Sequence, residues 1–175
     1  MDKIFYTDQS RFPSSLDSVQ YVLSEYYGIE HPEILRNEHG KPYLKAETGL
    51  STYFSISHTD GKLFIAVSSK PVGIDAEATD RKTDYAPVVK KFTERERAEI
   101  VDIPSFLKHW TVKESAIKFL GGSLATDLKK LEYADGTLTY EHSPICANVT
   151  TLRFGKYVVS VCGGTEFLMD SFTAF

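Results

Sequence analysis

A chain of 175 residues, 42% apolar and 25% charged, has the composition of a globular protein and is long enough for one ordinary domain or two small lobes. Its net charge of −4 supplies no global positive field, which argues against nucleic acid or an anionic membrane as partner. An anionic ligand must therefore be met by a local cluster of positive groups.

The opening Met1-Asp2-Lys3-Ile4-Phe5-Tyr6 lacks the basic-then-apolar pattern of a signal peptide, and no apolar run approaches the roughly 20 residues that span a bilayer. Cys146 and Cys162 show no metal-ligand or disulfide spacing and read as small buried hydrophobes in a reducing, cytoplasmic setting. Residues 14–27 carry Leu16, Val19, Leu23 and Tyr26 at helical spacing, with Ser14 or Ser15 as cap and Gly28 as stop. Gly40-Lys41-Pro42-Tyr43-Leu44 reads as a turn opening a short extended segment. Residues 54–58 and 63–67 read as two strands joined by the Asp60-Gly61 turn, and residues 72–77 as a third, followed by a polar connection over 78–83.

The second half repeats the order, helices then strands. Residues 93–102 are helical, with Thr93 and Glu96 placed for a capping box, and residues 106–120 form a stronger helix stopped by Gly121-Gly122. Strands are predicted over 128–133, 137–140, 147–154 and 157–162, with turns at Asp135-Gly136 and Gly155-Lys156. Two such halves predict an α+β protein with two similar lobes in a pseudo-twofold arrangement, divided as residues 1–79 and 80–175. A monomer is expected, since a site can form between lobes of one chain.

Three clusters carry chemistry. On the strand over 72–77, Asp75 and Glu77 share a face roughly 7 Å apart, and Gly73 on that face is read as leaving open space. Oxygen donors beside a gap suit a hard divalent cation, although a solvated acidic strand end would look the same. On the long helix, Val112, Ala116, Phe119 and Leu120 make one apolar stripe, while Trp110, Glu114, Ile117, Lys118 and Gly121 fall nearly opposite. A helix apolar on both sides is packed on both sides, which puts Glu114 and Lys118 at a partly buried seam; an ordinary Glu–Lys surface pair is the plainer alternative. Lys41 in its turn, with Ser57 and His58 at a strand end, offers a point charge and hydrogen-bond donors for phosphate; a lone histidine there is more often a structural one.

These segments, in this order, resemble the 4′-phosphopantetheinyl transferases, closest to the larger two-lobed type that modifies peptide and polyketide synthase carriers. The resemblance rests on Gly40-Lys41-Pro42-Tyr43, on Phe54-Ser55-Ile56-Ser57-His58 running on to Val72-Gly73-Ile74-Asp75-Ala76-Glu77, and on Trp110-Thr111-Val112-Lys113-Glu114-Ser115-Ala116-Ile117-Lys118, with Phe92-Thr93 between the last two. It implies transfer of the phosphopantetheine arm of coenzyme A to a serine of an apo acyl or peptidyl carrier protein, with release of 3′,5′-ADP, an activity of the holo-acyl-carrier-protein synthase type. It further implies that Asp75, Glu77 and Glu114 bind Mg²⁺, and that Glu114 helps to deprotonate the attacking serine, directly or through a water. Lys118 would sit against the phosphates, while Lys41, Ser57 and His58 would hold coenzyme A, His58 chiefly at the 3′-phosphate. Trp110 and Lys113 would support the motif helix. One departure stands out: residues 16–27 carry Asp17 and Glu25 and no basic residue, where the family usually places cations for coenzyme A, and Arg36 is the candidate substitute. The rival readings are a coenzyme A- or nucleotide-binding relative without transfer, another Mg²⁺-dependent phosphate hydrolase, and a scaffold that binds carriers without chemistry.

Overall fold

The computed structural model describes residues 2–45, 51–82, 84–168 and 172–175, so Met1 and Thr83 of the segments above lie outside the described residues. The strands are β1 Lys3–Asp8, β2 Ile34–Arg36, β3 Pro42–Leu44, β4 Tyr53–Thr59, β5 Lys62–Ser68, β6 Val72–Ala78, β7 Leu131–Ala134, β8 Thr137–Tyr140, β9 Ser143–Pro144, β10 Val149–Phe154, β11 Tyr157–Gly163 and β12 Phe172–Ala174. The helices are α1 Ser15–Tyr27, α2 Ala86–Val89, α3 Glu94–Glu99, α4 Ile103–Leu120 and α5 Leu124–Asp127. The architecture is mixed α+β, as the sequence indicates. Among the described residues no helix is long and apolar enough to cross a membrane.

Two sheets carry the molecule. One runs β12-β1-β5-β4 and the other β10-β11-β6. α1 is capped by Ser14, which accepts the Asp17 amide, and ends at Gly28 in the left-handed conformation. It lays Val19, Val22 and Leu23 into a core with Phe5, Ile65 and Val67. α4 packs Leu107, Val112 and Ala116 against Val158, Leu131 and Leu138. Between the sheets Ile4, Phe64 and Ala66 meet Ile74, Ala76, Val159 and Val161, all but fully buried. Each of the larger of these side chains, the isoleucines, valines and phenylalanine, stabilises the fold by about 1.5–3 kcal/mol.

The sequence reading departs from this structure at several points. β1 is a central strand of its sheet, with Ile4 and Phe5 fully buried, and β12 pairs with it in parallel. The helix predicted over 93–102 stops at Glu99, because Ile100 is extended and Asp102 instead caps α4 in a capping box with Ser105. Residues 128–130 form a turn after α5, not the start of a strand. Leu120, assigned to the apolar stripe, is exposed in the last turn of α4.

The connectivity crosses the middle of the chain. β6 pairs with β11 rather than with β5, and β12 returns to pair with β1. Strand β6 is thereby delivered into the sheet that α4 covers, with β4 running alongside it.

Candidate active site at the β4–β6 seam

The edge of β6 turned away from β11 is closed by side chains instead of another strand. Ser55 Oγ accepts the Ile74 amide and Ser57 Oγ the Ala76 amide, both at 3.1 Å. Lys118 Nζ donates to the Ile74 carbonyl at 3.0 Å, and Lys41 Nζ reaches the Val72 carbonyl at 3.4 Å. Because strand side chains alternate, Ser55, Ser57 and Thr59 share one face of β4 and form a hydroxyl ladder toward β6. Backbone groups buried at such an edge need partners, and these side chains supply them.

Asp75 is buried at the centre of this seam. Its Oδ1 accepts Lys118 Nζ at 2.7 Å and Ser57 Oγ at 2.9 Å, while its Oδ2 is buried with no hydrogen-bond partner. Glu114, one turn before Lys118 on α4, is half-buried. Burial first, and then the charges of Asp75 and Glu77, push its carboxyl up to about 7 against the opposing pull of Lys118. Glu77 accepts Thr59 Oγ1 at 3.2 Å and Arg81 Nη1 at 3.3 Å.

These three carboxylates crowd one seam, one with an orphaned oxygen and one whose proton is held up to about 7 by burial and by the other two. That is a donor set suited to a hard cation such as Mg²⁺. Among the described residues no three His, Cys, Asp or Glu side chains already stand together as a metal cluster, so the set is not a pre-formed cage.

Gly73 reads from the sequence as open space beside the carboxylates, and the structure shows the reverse. A Cβ built there would lie 2.0 Å from the Ser115 carbonyl oxygen and 2.4 Å from the Phe119 amide nitrogen. The glycine lets α4 press onto β6, which is what carries Glu114 and Lys118 to Asp75.

A cleft of about 300 Å³ opens beside this cluster, lined by Lys41, Ser55, Glu114 and Lys118 together with His39, Ser123 and Leu124. Lys41 is lowered to about 8, by burial first and then by Lys118. The neighbouring Cys162 is raised to about 12 by burial and is a neutral thiol; Cys146, read as buried, is exposed. Lys113 is fully buried in an ion pair with Glu96 and serves α4 rather than the cleft.

The structure thus brings Asp75, Glu114, Lys118 and Lys41 together. Ser57 joins them, but its hydroxyl already donates to Asp75 and accepts Ala76. His58 is exposed on the opposite face of β4 and lines a separate cleft with Thr59, Asp60, Asp80 and Arg81. Arg36 donates to the Gly40 carbonyl at 2.7 Å, within the turn that carries Lys41. Residues that the sequence reading missed are Asn37, His39, Ser123 and Leu124. Asn37 three positions before the Gly-Lys-Pro turn is a turn signal in its own right; nothing in the sequence marks the other three.

Residues 71–162, which contain β6 and all of α4, match the 4′-phosphopantetheinyl transferase superfamily. The chain is 33% identical over 111 residues to the 4′-phosphopantetheinyl transferase gsp of Aneurinibacillus migulanus, covering 59% of this chain and 45% of that protein. It is 29% identical over 143 residues to the 4′-phosphopantetheinyl transferase HetI of Nostoc, covering 74% of this chain and 59% of that protein. With a 4′-phosphopantetheinyl transferase of Bacillus subtilis it shares 31% identity over 170 residues, 87% of this chain and 73% of the relative. The chain therefore spans about half the length of the first two of these relatives and nearly three quarters of the third. The matched stretch holds Asp75, Glu77, Glu114 and Lys118 on the elements that build the seam, and the chain belongs to the 4′-phosphopantetheinyl transferase superfamily.

Proposed function

We propose that this chain transfers the phosphopantetheine arm of coenzyme A to a serine hydroxyl of an apo acyl or peptidyl carrier protein, as a holo-acyl-carrier-protein synthase does. The observation that supports it best is the convergence of Asp75, Glu114 and Lys118 at one strand edge, opening on a cleft that also presents Lys41. The new bond forms between the serine oxygen and the phosphorus next to the pantetheine. The bond to the bridging diphosphate oxygen breaks, and 3′,5′-ADP leaves.

A serine hydroxyl attacks poorly until its proton is taken, and Glu114 is the base within the cleft. Lys118, fixed between Ile74 O and Asp75, meets the charge that gathers on the departing phosphate. Lys41 would hold the diphosphate with Ser57 at the seam beside it, while a role for His58 at the 3′-phosphate would require the coenzyme to reach the separate cleft on the other face of β4. Asp75, Glu77 and Glu114 would hold Mg²⁺, which when bound neutralises the carboxylates and clamps the diphosphate.

The lobe division at residues 79 and 80, the pseudo-twofold relation, a monomeric state and a cytoplasmic location belong to the same proposal. The exposed, unpaired Cys146 fits a reducing compartment.

The test is the intact mass of an apo-carrier protein incubated with this protein, coenzyme A and Mg²⁺. A gain of one phosphopantetheine is expected, absent with chelator and with Asp75→Ala or Glu114→Ala, both of which should stay folded. Release of 3′,5′-ADP without a carrier would indicate hydrolysis. No gain across acyl and peptidyl carriers, with coenzyme A still bound, would indicate a binding relative that lacks transfer.

A further inference from the structure

Asn37 joins the two halves of the site. Its Oδ1 accepts the amides of Lys41 at 2.8 Å and His39 at 3.0 Å, an arrangement that shapes the turn carrying Lys41. Its backbone completes that turn, donating to the Lys41 carbonyl at 3.0 Å and accepting the Gly40 amide at 2.9 Å. Its Nδ2 then crosses 84 residues of sequence to donate to the Gly121 carbonyl at 2.8 Å.

Gly121 is the left-handed cap at the end of α4, the helix of Glu114 and Lys118. Carbonyls at a helix end lack partners within the helix, so this one is available to a donor from elsewhere. The close approach is built in: a Cβ on Gly121 would lie 3.1 Å from Asn37 Nδ2. The turn needs such an anchor, because β2 and β3 form a sheet of only two strands, and a ribbon of that size is marginal alone.

We infer that Asn37 is a positioning residue that sets Lys41 at a fixed distance from the Glu114 and Lys118 helix, so that the cleft is organised for a diphosphate before coenzyme A arrives. The inference rests on the transferase reading above. It assigns Asn37 no contact with substrate and no part in proton transfer.

Asn37→Ser tests it. A serine hydroxyl can still accept an amide within the turn but cannot reach Gly121, and it adds no charge. Its Kd for coenzyme A, by calorimetry, should weaken about tenfold, the size of one net hydrogen bond, with KM rising in parallel and kcat within about twofold of wild type. In a Lys41→Ala background the same substitution should change Kd less than about twofold, because the group it positions is gone.

An unchanged Kd for Asn37→Ser overturns the inference. So does equal weakening in both backgrounds, or a loss confined to kcat with a lowered Tm. Asn37→Asp should weaken binding at least as much; if it alone does so, added charge is the cause and the clamp is not. A wild-type protein that binds no coenzyme A overturns the transferase reading and this inference together, whereas wild-type binding with an unaffected Asn37→Ser overturns only the inference.

Discussion

Ser57 donates to one oxygen of Asp75 at 2.9 Å while accepting the Ala76 amide at 3.1 Å, so a single buried hydroxyl both completes the edge of β6 and aims the carboxylate beside it. With Oδ1 held by Ser57 and Lys118, Oδ2 is buried without a partner, and under the proposed function it is the oxygen that would face a cation.

Ser57→Ala removes the donor and strands a buried amide, a loss of about 1–3 kcal/mol of stability by urea unfolding. The kinetic signature separates its two roles. If it aims Asp75, kcat falls about tenfold while KM for coenzyme A stays within about twofold. A rise in KM with kcat unchanged would show that the hydroxyl serves the phosphate instead.

Under the proposed function, Lys41 sets a pH limit on coenzyme A binding. Burial, and then Lys118, hold its ammonium near 8 in the free protein. Only the protonated form attracts a diphosphate, and a bound diphosphate raises the pKa in the complex. Affinity is therefore full below the free value and falls as pH rises through it, by up to about tenfold per unit. The Lys41 titration should make KM for coenzyme A climb above about pH 8. Lys41→Met should hold KM at a high value throughout; a wild-type profile in that variant would remove Lys41 from the cleft.

Much of this site was legible because its signals are local. The alternation of Ser55, Ser57 and Thr59 and of Asp75 and Glu77 reads as strand, and Glu114 with Lys118 reads as one helix face. What the sequence could not supply were relations between distant segments. His58 sits next to Ser57 in sequence, yet alternation sends it to the other face of β4 and into another cleft. Lys3 to Asp8 has no clean alternation because β1 is buried on both faces between β5 and β12. Asn37 reads only as a turn residue until α4 is placed against that turn.

Gly73 is the sharpest case. Alternation correctly puts it on the carboxylate face, but the absent side chain that reads as room is the footprint of a helix. Gly73→Ala places a methyl group against two backbone atoms of α4, at 2.0 and 2.4 Å, neither of which can swing aside. The helix must lift from β6, at a cost on the order of 3 kcal/mol. The urea midpoint should fall, and transfer should be lost in protein that is still folded, because Lys118 leaves the Ile74 carbonyl. An unchanged midpoint would mean that α4 does not bear on β6 at this point.

On α4 beside Glu114, Lys113 is pinned to Glu96 with Nζ 2.8 and 3.0 Å from the two carboxylate oxygens, both side chains fully buried. The ammonium also lies 4.3 Å from the centroid of the Phe92 ring. Glu96 further accepts the amides of Thr93 at 2.8 Å and Tyr133 at 3.0 Å, so it ties α3 and β7 to α4 at the residue before Glu114. Lys113→Met leaves that carboxylate buried and uncompensated, and should cost about 3–5 kcal/mol in urea unfolding. Adding Glu96→Gln removes the stranded charge while keeping a carbonyl oxygen for one amide. The double variant is therefore expected to be more stable than Lys113→Met alone, with a coupling of about 0.5–3 kcal/mol in the double-mutant cycle. A double variant no more stable than the single would show that the two amides on Glu96, and not the ion pair, hold α3 and β7 against the helix.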